Sequence, residues 1–126
     1  MKLNRMHHVA IIVSNYQKSR TFYVDQLGFR VLRENYREDR GDWKLDLEFG
    51  GSELEIFCIP DSPARLNCPE ACGLRHLAFH VDSIEDTVQE LHALGIETEE
   101  IRVDPYTNRR MTFFHDPDGL PLELHE

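Results

Sequence analysis

The sequence predicts an α+β fold in which two βαβββ modules form a curved, mixed eight-stranded sheet with the helices on its convex face. One observation is the order of the hydrophobic patterns, because strand-like and helix-like segments follow each other in the same order in both halves of the 126 residues. A second observation is internal repetition, since the His and Ala residues of segment 8–13 recur 68 positions later in segment 76–81. Matching segments at a fixed offset are typical of a duplicated module.

A second match at the same offset supports the duplication. The tripeptide around Glu55 corresponds to the tripeptide around Glu123, and in both a carboxylate stands between two aliphatic residues. His8 and His76 are the histidines of the first match. Two His and two Glu residues therefore occupy equivalent positions in the two halves.

Module one, about residues 1–60, is predicted to contain one helix and four strands. Ser14 or Asn15 caps the helix, which runs to about Leu27 and ends at Gly28. The strands are expected at residues 6–13, from residue 29 onward, at 43–49 and at 53–59.

Module two, about residues 73–126, is predicted to repeat this order after a linker at about 61–72. The linker region is rich in proline and small residues, which favours a connector. Ser83 caps the second helix and Gly95 ends it. Strands are expected at 74–81, 96–103, 111–115 and 120–125. We expect residues 1–126 to form a single domain.

Composition excludes several classes of partner and indicates a cytoplasmic protein. The formal net charge of −9 opposes binding to nucleic acid and to anionic membrane surfaces. No apolar run is long enough to span a membrane, and the N-terminal residues lack the pattern of a secretory signal. The three cysteines are an odd number and are expected to stay reduced in a cytoplasm. A small molecule is the expected partner.

The four duplicated residues predict a metal site. Strand parity places His8, Glu55, His76 and Glu123 on faces opposite the apolar core positions. Two carboxylates in a partly dry cleft repel each other unless a cation neutralises them. Two imidazoles and two carboxylates form a ligand set that suits a first-row divalent ion with positions left for water. We therefore expect one divalent metal ion per site, with Ni, Co, Zn and Mn as candidates.

These residues, set in two βαβββ modules, resemble the vicinal oxygen chelate superfamily, and within it the glyoxalase I-like and bleomycin resistance-type proteins. The resemblance covers nearly the whole chain. Its compact length and segment 104–110 are most similar to a bacterial single-domain subgroup of the YaeR type. The further motifs that carry the resemblance are Phe22-Tyr23, Leu27-Gly28-Phe29, the segment 73–79 and Asp116-Pro117-Asp118-Gly119.

The resemblance implies a function as well as a fold. It implies that His8, Glu55, His76 and Glu123 hold the metal, and that the reaction isomerises the hemithioacetal of a 2-oxoaldehyde and a thiol. The metal would stabilise an enediolate while a carboxylate moves the proton between adjacent carbons. On this analogy Glu123 is the catalytic base and Glu55 its counterpart. The family commonly pairs chains, which predicts a homodimer with a site either within one chain or across the interface.

The chain departs from glutathione-using glyoxalase I at two positions. Ile12 and Ile59 stand where that branch typically has Arg and Asn, which hold glutathione. An extradiol dioxygenase or a fosfomycin-type thiol transferase would typically use two His and one Glu, and Glu55 would then be surplus. A metal-free, bleomycin-type binding protein is a further alternative, and the acidic net charge fits a cationic ligand. Residues 104–110 fit either a loop that offers polar groups to a substrate or a solvated hairpin tip.

Overall fold

The computed structural model describes all 126 residues, which cluster into two compact units, Met1–Ala64 and Arg65–Glu126. They are named the N-terminal unit and the C-terminal unit. The boundary between them falls inside the predicted linker at 61–72. The assignment of 1–126 to a single domain remains a prediction.

The N-terminal unit is a four-stranded mixed sheet with one helical segment. Its strand order is β1-β4-β3-β2, in which β1 runs parallel to β4 and the other neighbours are antiparallel. The helical segment connects β1 to β2, and β1 is therefore not joined to its neighbour by a tight turn, so it can run parallel to β4. The elements are β1 (His8–Val13), α1 (Tyr16–Arg20), a π-helical segment (Thr21–Gln26), β2 (Val31–Arg37), β3 (Asp42–Phe49) and β4 (Ser52–Cys58).

The C-terminal unit repeats this topology. Its strand order is β5-β8-β7-β6, and β5 runs parallel to β8 as β1 does to β4. The elements are β5 (Leu77–His80), α2 (Ile84–Ala93), β6 (Arg102–Val103), β7 (Arg110–His115) and β8 (Pro121–His125). The predicted α+β class and all eight predicted strands are confirmed, as two four-stranded mixed sheets.

The predicted helix ends are confirmed in both units. The Asn15 side chain accepts a hydrogen bond from the Lys18 backbone N–H at 2.9 Å, and Ser83 caps α2 in the same way. Gly28 and Gly95 follow the helical segments with φ angles of 77° and 76°, a conformation that favours glycine. Local sequence therefore sets where each helical segment begins and ends.

Two elements differ from the prediction. The first helix is α-helical only to Arg20 and continues as a π-helix, in which the Leu27 N–H donates to the Phe22 carbonyl. The consecutive residues Phe22 and Tyr23 are both buried, and the wider turn allows both rings to face the core. The predicted strand 96–103 is reduced to two residues: the Glu99 N–H still donates to the Phe113 carbonyl at 2.8 Å, but the Glu99 carbonyl accepts from the Thr112 hydroxyl and not from a backbone N–H.

Each unit buries its own apolar face. Alternate strand residues point into the core, and each large aliphatic side chain buried there contributes about 1.5–3 kcal/mol. No helix is both long and apolar enough to cross a membrane. The core side chains include Val13, Tyr23, Leu45, Leu47, Leu54 and Ile56 in the N-terminal unit, and Ile84, Leu91, Phe114, Leu122 and Leu124 in the C-terminal unit.

Candidate metal centre

In the N-terminal unit the sheet brings His8 to Glu55. Val13 and Ile11 face the core, so the opposite parity of β1 leaves His8 on the outer face. Ala10 pairs with Glu55 across the parallel β1–β4 ladder, which puts that carboxylate on the same face as His8. The His8 Nε2 atom lies 3.8 Å from Glu55 Oε2.

In the C-terminal unit the same register brings His76 to Glu123. Ala78 pairs with Glu123 across the β5–β8 ladder, as Ala10 does with Glu55. The His76 Nε2 atom lies 3.0 Å from Glu123 Oε2, and Glu123 is buried. The Arg75 guanidinium lies 3.2 Å from His76 Nδ1, on the side of the ring away from the Nε2 atom that faces Glu123.

Both pairs have a spacing that suits a chelated ion. Two donors about 2.1 Å from one ion are about 3.0 Å apart at a right angle and about 4.2 Å apart when they lie opposite each other. The measured separations of 3.8 Å and 3.0 Å fall within this range. Each unit therefore supplies one nitrogen and one oxygen donor that fit a divalent metal.

The two carboxylates differ in their surroundings. The Lys44 ammonium lies 3.3 Å from Glu55 Oε1, and Asp46 stands directly opposite Glu55 in the β3–β4 ladder. Phe113 is the residue opposite Glu123 in the β7–β8 ladder. The position equivalent to Lys44 is Met111, because these two residues pair two positions beyond the respective glutamates. A cation thus holds Glu55, whereas Glu123 faces an aromatic ring and an imidazole.

An ion-pair network surrounds Glu55. Asp46, Glu53 and Glu55 each place an oxygen within 4.8 Å of the others, a spacing at which acidic groups can hold a cation. Arg33 and Lys44 offset most of their negative charge, because Asp46 accepts from Arg33 Nε at 2.8 Å and from Lys44 Nζ at 2.7 Å, and Arg33 also binds Glu53. This cluster is therefore an internal salt-bridge network.

The network also sets two pKa values. Burial disfavours the charged form of Lys44, but its hydrogen bonds to Asp46 and Glu55 outweigh burial and raise the pKa of Lys44. Burial likewise opposes ionisation of Asp46, but the hydrogen bonds from Lys44 and Arg33 lower the pKa of Asp46 below its usual value. Both groups are therefore charged at neutral pH.

Ile12, His125 and Tyr106 differ in their exposure and in their contacts. Ile12 shares the outer face of β1 with His8 and is 57% exposed. The His125 imidazole lies 4.0 Å from Asp104 and hydrogen-bonds the Glu126 carbonyl. Tyr106, at the tip of the 104–109 loop, is 95% exposed, as a solvated hairpin tip would be.

Sequence reasoning missed Lys44 and Asp46. The alternation in segment 43–49 predicted a half-exposed strand, and the same parity puts Lys44, Asp46 and Glu48 on its polar face. The β3–β4 register, which places Asp46 opposite Glu55, could not be predicted from the sequence. Without that register, a lysine on a polar face has no assigned partner.

Comparison with known proteins identifies the family of this duplicated fold. A model of the Glyoxalase/Bleomycin resistance protein/Dioxygenase superfamily matches residues 5–124. The chain belongs to this superfamily. Members of the superfamily commonly bind a divalent metal ion, which agrees with the donor sets described above.

Several superfamily relatives match over their whole length. The uncharacterized protein YwkD of Bacillus subtilis (strain 168) is 60% identical, with 100% of this chain and 99% of that protein covered. The uncharacterized protein YaeR of Escherichia coli (strain K12) is 54% identical, with 98% and 97% covered. The crystal structure of a glyoxalase family protein from Enterococcus faecalis is 59% identical and covers 100% of both chains with a TM-score of 0.94.

More distant superfamily relatives include named enzymes. Methylmalonyl-CoA epimerase of Homo sapiens is 28% identical, and 98% of this chain and 74% of that protein are covered. Glyoxylase I 4 of Arabidopsis thaliana is 29% identical, with 98% and 71% covered. A structure of the fosfomycin resistance protein FosX from Listeria monocytogenes, solved with Mn(II), shares the fold at 19% identity and a TM-score of 0.75, with 98% and 93% covered.

Proposed function

We propose that this chain is a divalent-metal-dependent, glyoxalase I-like lyase or isomerase. Its substrate is a small molecule that chelates the metal through two oxygen atoms, such as the hemithioacetal of a 2-oxoaldehyde. The metal ligands in this proposal are His8, Glu55, His76 and Glu123, and the ion is Ni, Co, Zn or Mn.

The observation that carries the proposal is that one His–Glu pair is built twice at one register. Ala10 pairs with Glu55 and Ala78 pairs with Glu123, and in both units the histidine stands two residues before that alanine. Glu123 is buried beside an imidazole and needs a positive partner. A divalent ion would supply that partner, and the His8–Glu55 pair would offer the same ion two further donors.

The two glutamates are suited to different roles. When bound, the metal acts as a Lewis acid that polarises the substrate oxygens and makes the adjacent C–H more acidic. Glu123 takes the proton from the carbon that carries sulfur and returns it to the neighbouring carbon. The product is an isomeric 2-hydroxy thioester, so no oxidant or reductant is consumed. Glu55 is held by Lys44 at 3.3 Å and suits a fixed ligand.

The thiol that forms the substrate differs from glutathione in this proposal. Ile12 lies exposed on the His8 face of β1, where it offers an apolar contact and no charge. Ile59 likewise has no polar group to hold a peptide carboxylate. A thiol that lacks the glutathione peptide avoids the need for both anchors.

The Lys44–Glu55 ion pair supports a second candidate function. Because Lys44 already neutralises Glu55, a site of three ligands, His8, His76 and Glu123, is also consistent with the charges. Two His and one Glu are the typical ligand set of the dioxygenase and thiol-transferase branches. The ligand count thus separates the two candidate functions.

Metal affinity of Glu55→Gln tests the ligand count. In a four-ligand site the variant loses about 100-fold or more in affinity, because loss of even an outer-shell partner costs about 10–100-fold. In a three-ligand site Glu55 is an outer-shell neighbour of His8, and the affinity falls by less than about 100-fold. Isothermal titration calorimetry with Ni, Co, Zn and Mn measures the metal affinity. Glu48→Gln is the matched control, because Glu48 lies on the same sheet and pairs with Arg30.

An activity screen tests the reaction. Metal-loaded protein is assayed with methylglyoxal and several thiols, and formation of a 2-hydroxy thioester is followed. Turnover with at least one thiol supports the proposal. Metal binding without turnover on any of them, together with turnover on a catechol or an epoxide, would establish the second candidate.

A metal-free binding protein is the alternative from a different class. It requires no paired ligands, and a protein that binds no divalent ion but does bind a cationic drug of the bleomycin type would support it. For the metalloenzyme, we further propose that the protein assembles as a homodimer and is located in the cytoplasm. The three free cysteines are compatible with a reducing compartment.

A further inference from the structure

The C-terminal unit contains a cavity of about 330 Å³ beside the His76–Glu123 pair. Its size is that of a small-ligand pocket. Phe113 forms part of its wall, and the Phe113 ring meets the His76 ring edge-on with 5.3 Å between centroids. Arg75, which directly precedes His76, lines the same cavity. His76 and Glu123 do not line the cavity, but a molecule in it would contact two residues that touch His76.

Three arginines line this cavity, and Arg65 fixes its wall. The Arg65 guanidinium donates to Asn67 Oδ1 at 2.7 Å and to the backbone carbonyls of Leu74 and Arg75 at 2.6 and 2.7 Å. Asn67 in turn donates to the Gly119 carbonyl at 2.8 Å. These hydrogen bonds hold Arg65 and Asn67 of the linker segment in fixed positions, so this side of the cavity is well ordered by side-chain contacts.

The other two arginines pair with exposed carboxylates, and each also has one contact of a different kind: Arg75 lies 3.2 Å from His76 Nδ1, and the Arg102 guanidinium lies 5.9 Å from the centre of the Phe113 ring. Arg75 pairs with Glu70 at 3.0 Å, and their side chains are 61% and 59% exposed. Arg102 pairs with Glu99 at 3.1 Å, and these side chains are 55% and 47% exposed. Ion pairs in contact with water are weak, so an incoming anion can replace either carboxylate at little cost.

The charge of the cavity is opposite to that of the chain. Three guanidinium groups face two carboxylates here, whereas the whole chain has a formal net charge of −9. A local positive region on an acidic protein concentrates anions at that point. Guanidinium groups also match the geometry of carboxylate and phosphoryl oxygens, to which they donate two parallel hydrogen bonds.

We propose that Arg75 and Arg102 form an anion subsite, which binds the carboxylate or phosphoryl group of a small substrate whose body packs on Phe113. Its connection to catalysis rests on the proposed function, because the reacting end of the substrate would then lie at His76 and Glu123. The substrate class is an anionic metabolite with its reactive oxygens a few atoms from the charged group. Anion binding itself does not depend on the metal.

Three probes of one shape test the subsite: benzoate, phenylphosphonate and the neutral benzamide. Titration of the full chain, with and without Zn, is followed by calorimetry. We expect benzoate or phenylphosphonate to bind at least about fivefold more tightly than benzamide, since charge-assisted hydrogen bonds are the stronger ones. The tighter of the two anions identifies the group, carboxylate or phosphoryl. Equal affinity for benzamide and both anions would overturn the proposal.

Variants locate the subsite. Arg75→Gln and Arg102→Gln are each expected to weaken anion binding about fivefold or more. Glu70→Gln is expected to strengthen it, because it frees Arg75 of its competing carboxylate. Arg30→Gln and Glu48→Gln remove an equally exposed ion pair in the N-terminal unit and are expected to change nothing. Unchanged anion affinity in both arginine variants, with thermal melts that show intact folding, contradicts the subsite.

The outcome also separates this proposal from the proposed function. Anion binding that depends on Arg75 and Arg102, in a protein that binds no divalent ion, keeps the subsite and refutes the metalloenzyme. Metal binding and turnover without selectivity for anions refute the subsite and keep the enzyme.

Discussion

At the scale of single residues, the difference between Glu55 and Glu123 determines how the candidate site works. Both stand at the same register, but the Lys44 ammonium contacts Glu55, whereas the Glu123 carboxylate lies 3.0 Å from the His76 imidazole. A carboxylate that a lysine already holds loses that hydrogen bond if it moves. Glu123 has no such lysine partner, so in the proposed site it is the carboxylate better suited to move and to carry a proton.

Glu123→Gln is predicted to abolish turnover. An amide cannot accept the proton, and the loss of a positioned general base costs about 10²–10⁴-fold in rate. Steady-state kinetics at saturating metal measures kcat, and circular dichroism shows whether the variant folds. Activity within about threefold of the wild-type rate would exclude Glu123 as the base.

Lys44→Met gives the N-terminal pair the residue that the C-terminal unit has at the equivalent position, Met111. If Lys44 holds Glu55 in position as a metal ligand, Lys44→Met frees the Glu55 carboxylate. The surroundings of Glu55 then become similar to those of Glu123. We expect kcat to fall about tenfold or more while KM changes little, as for an interaction made in the transition state. A rise in KM alone would assign Lys44 to substrate binding.

At the scale of elements, strand register decides which residues meet. The sequence predicted His8, Glu55, His76 and Glu123 because their parity and their common offset are visible in the chain. It did not predict Lys44 or Asp46, since the partner of a β3 residue depends on the length of the turn at 50–51. The π-helical segment was missed for a related reason: helical spacing does not show that two consecutive aromatic residues share a core.

The β2–β3–β4 salt bridges predict a specific loss of stability in Asp46→Asn. Asp46 is buried, but its partner Arg33 is half exposed and keeps Glu53, so the loss of its charged hydrogen bonds is expected to cost about 1.5–3 kcal/mol. The folded-state pKa of Asp46 is lowered, so its stabilisation is complete above the unfolded value of about 3.9 and is lost as pH falls through the folded-state pKa. Urea denaturation between pH 7 and pH 2 measures the difference between variant and wild type.

That difference is expected to be largest at neutral pH and to shrink below about pH 4. Asp25→Asn is the control, because Asp25 is more than half exposed and its ion pair with Arg20 spans 3.8 Å. The control is expected to change stability by less than about 0.5 kcal/mol. A constant difference at every pH would show that Asp46 acts through packing and not through its charge.

At the scale of the whole molecule, duplication is the reason that both His–Glu pairs can be predicted from the sequence. Whether the two pairs share one metal ion is a question for experiment. Each unit has its own core and its own His–Glu pair, so each half of the ligand set follows from one βαβββ topology. The substrate does not follow from that topology, because the groups that face the cavity, Arg75, Arg102 and Phe113, have no equivalents of the same type in the N-terminal unit. The fold and the proposed metal ligands are repeated in the two units, whereas the residues that line the cavity are not.

Metal stoichiometry distinguishes one shared ion from two separate ones. If the two pairs share one ion, the protein binds one equivalent per chain, and His8→Ala and His76→Ala each reduce binding to less than about 0.2 equivalents. The ion also raises the melting temperature, since a ligand at 100 times its Kd adds about 2.7 kcal/mol of stability. Elemental analysis, calorimetric titration and thermal melts provide the measurements. Two equivalents per chain, with one retained in each variant, would instead show independent sites, and His92→Ala, which removes only a bond to Thr98, is the control.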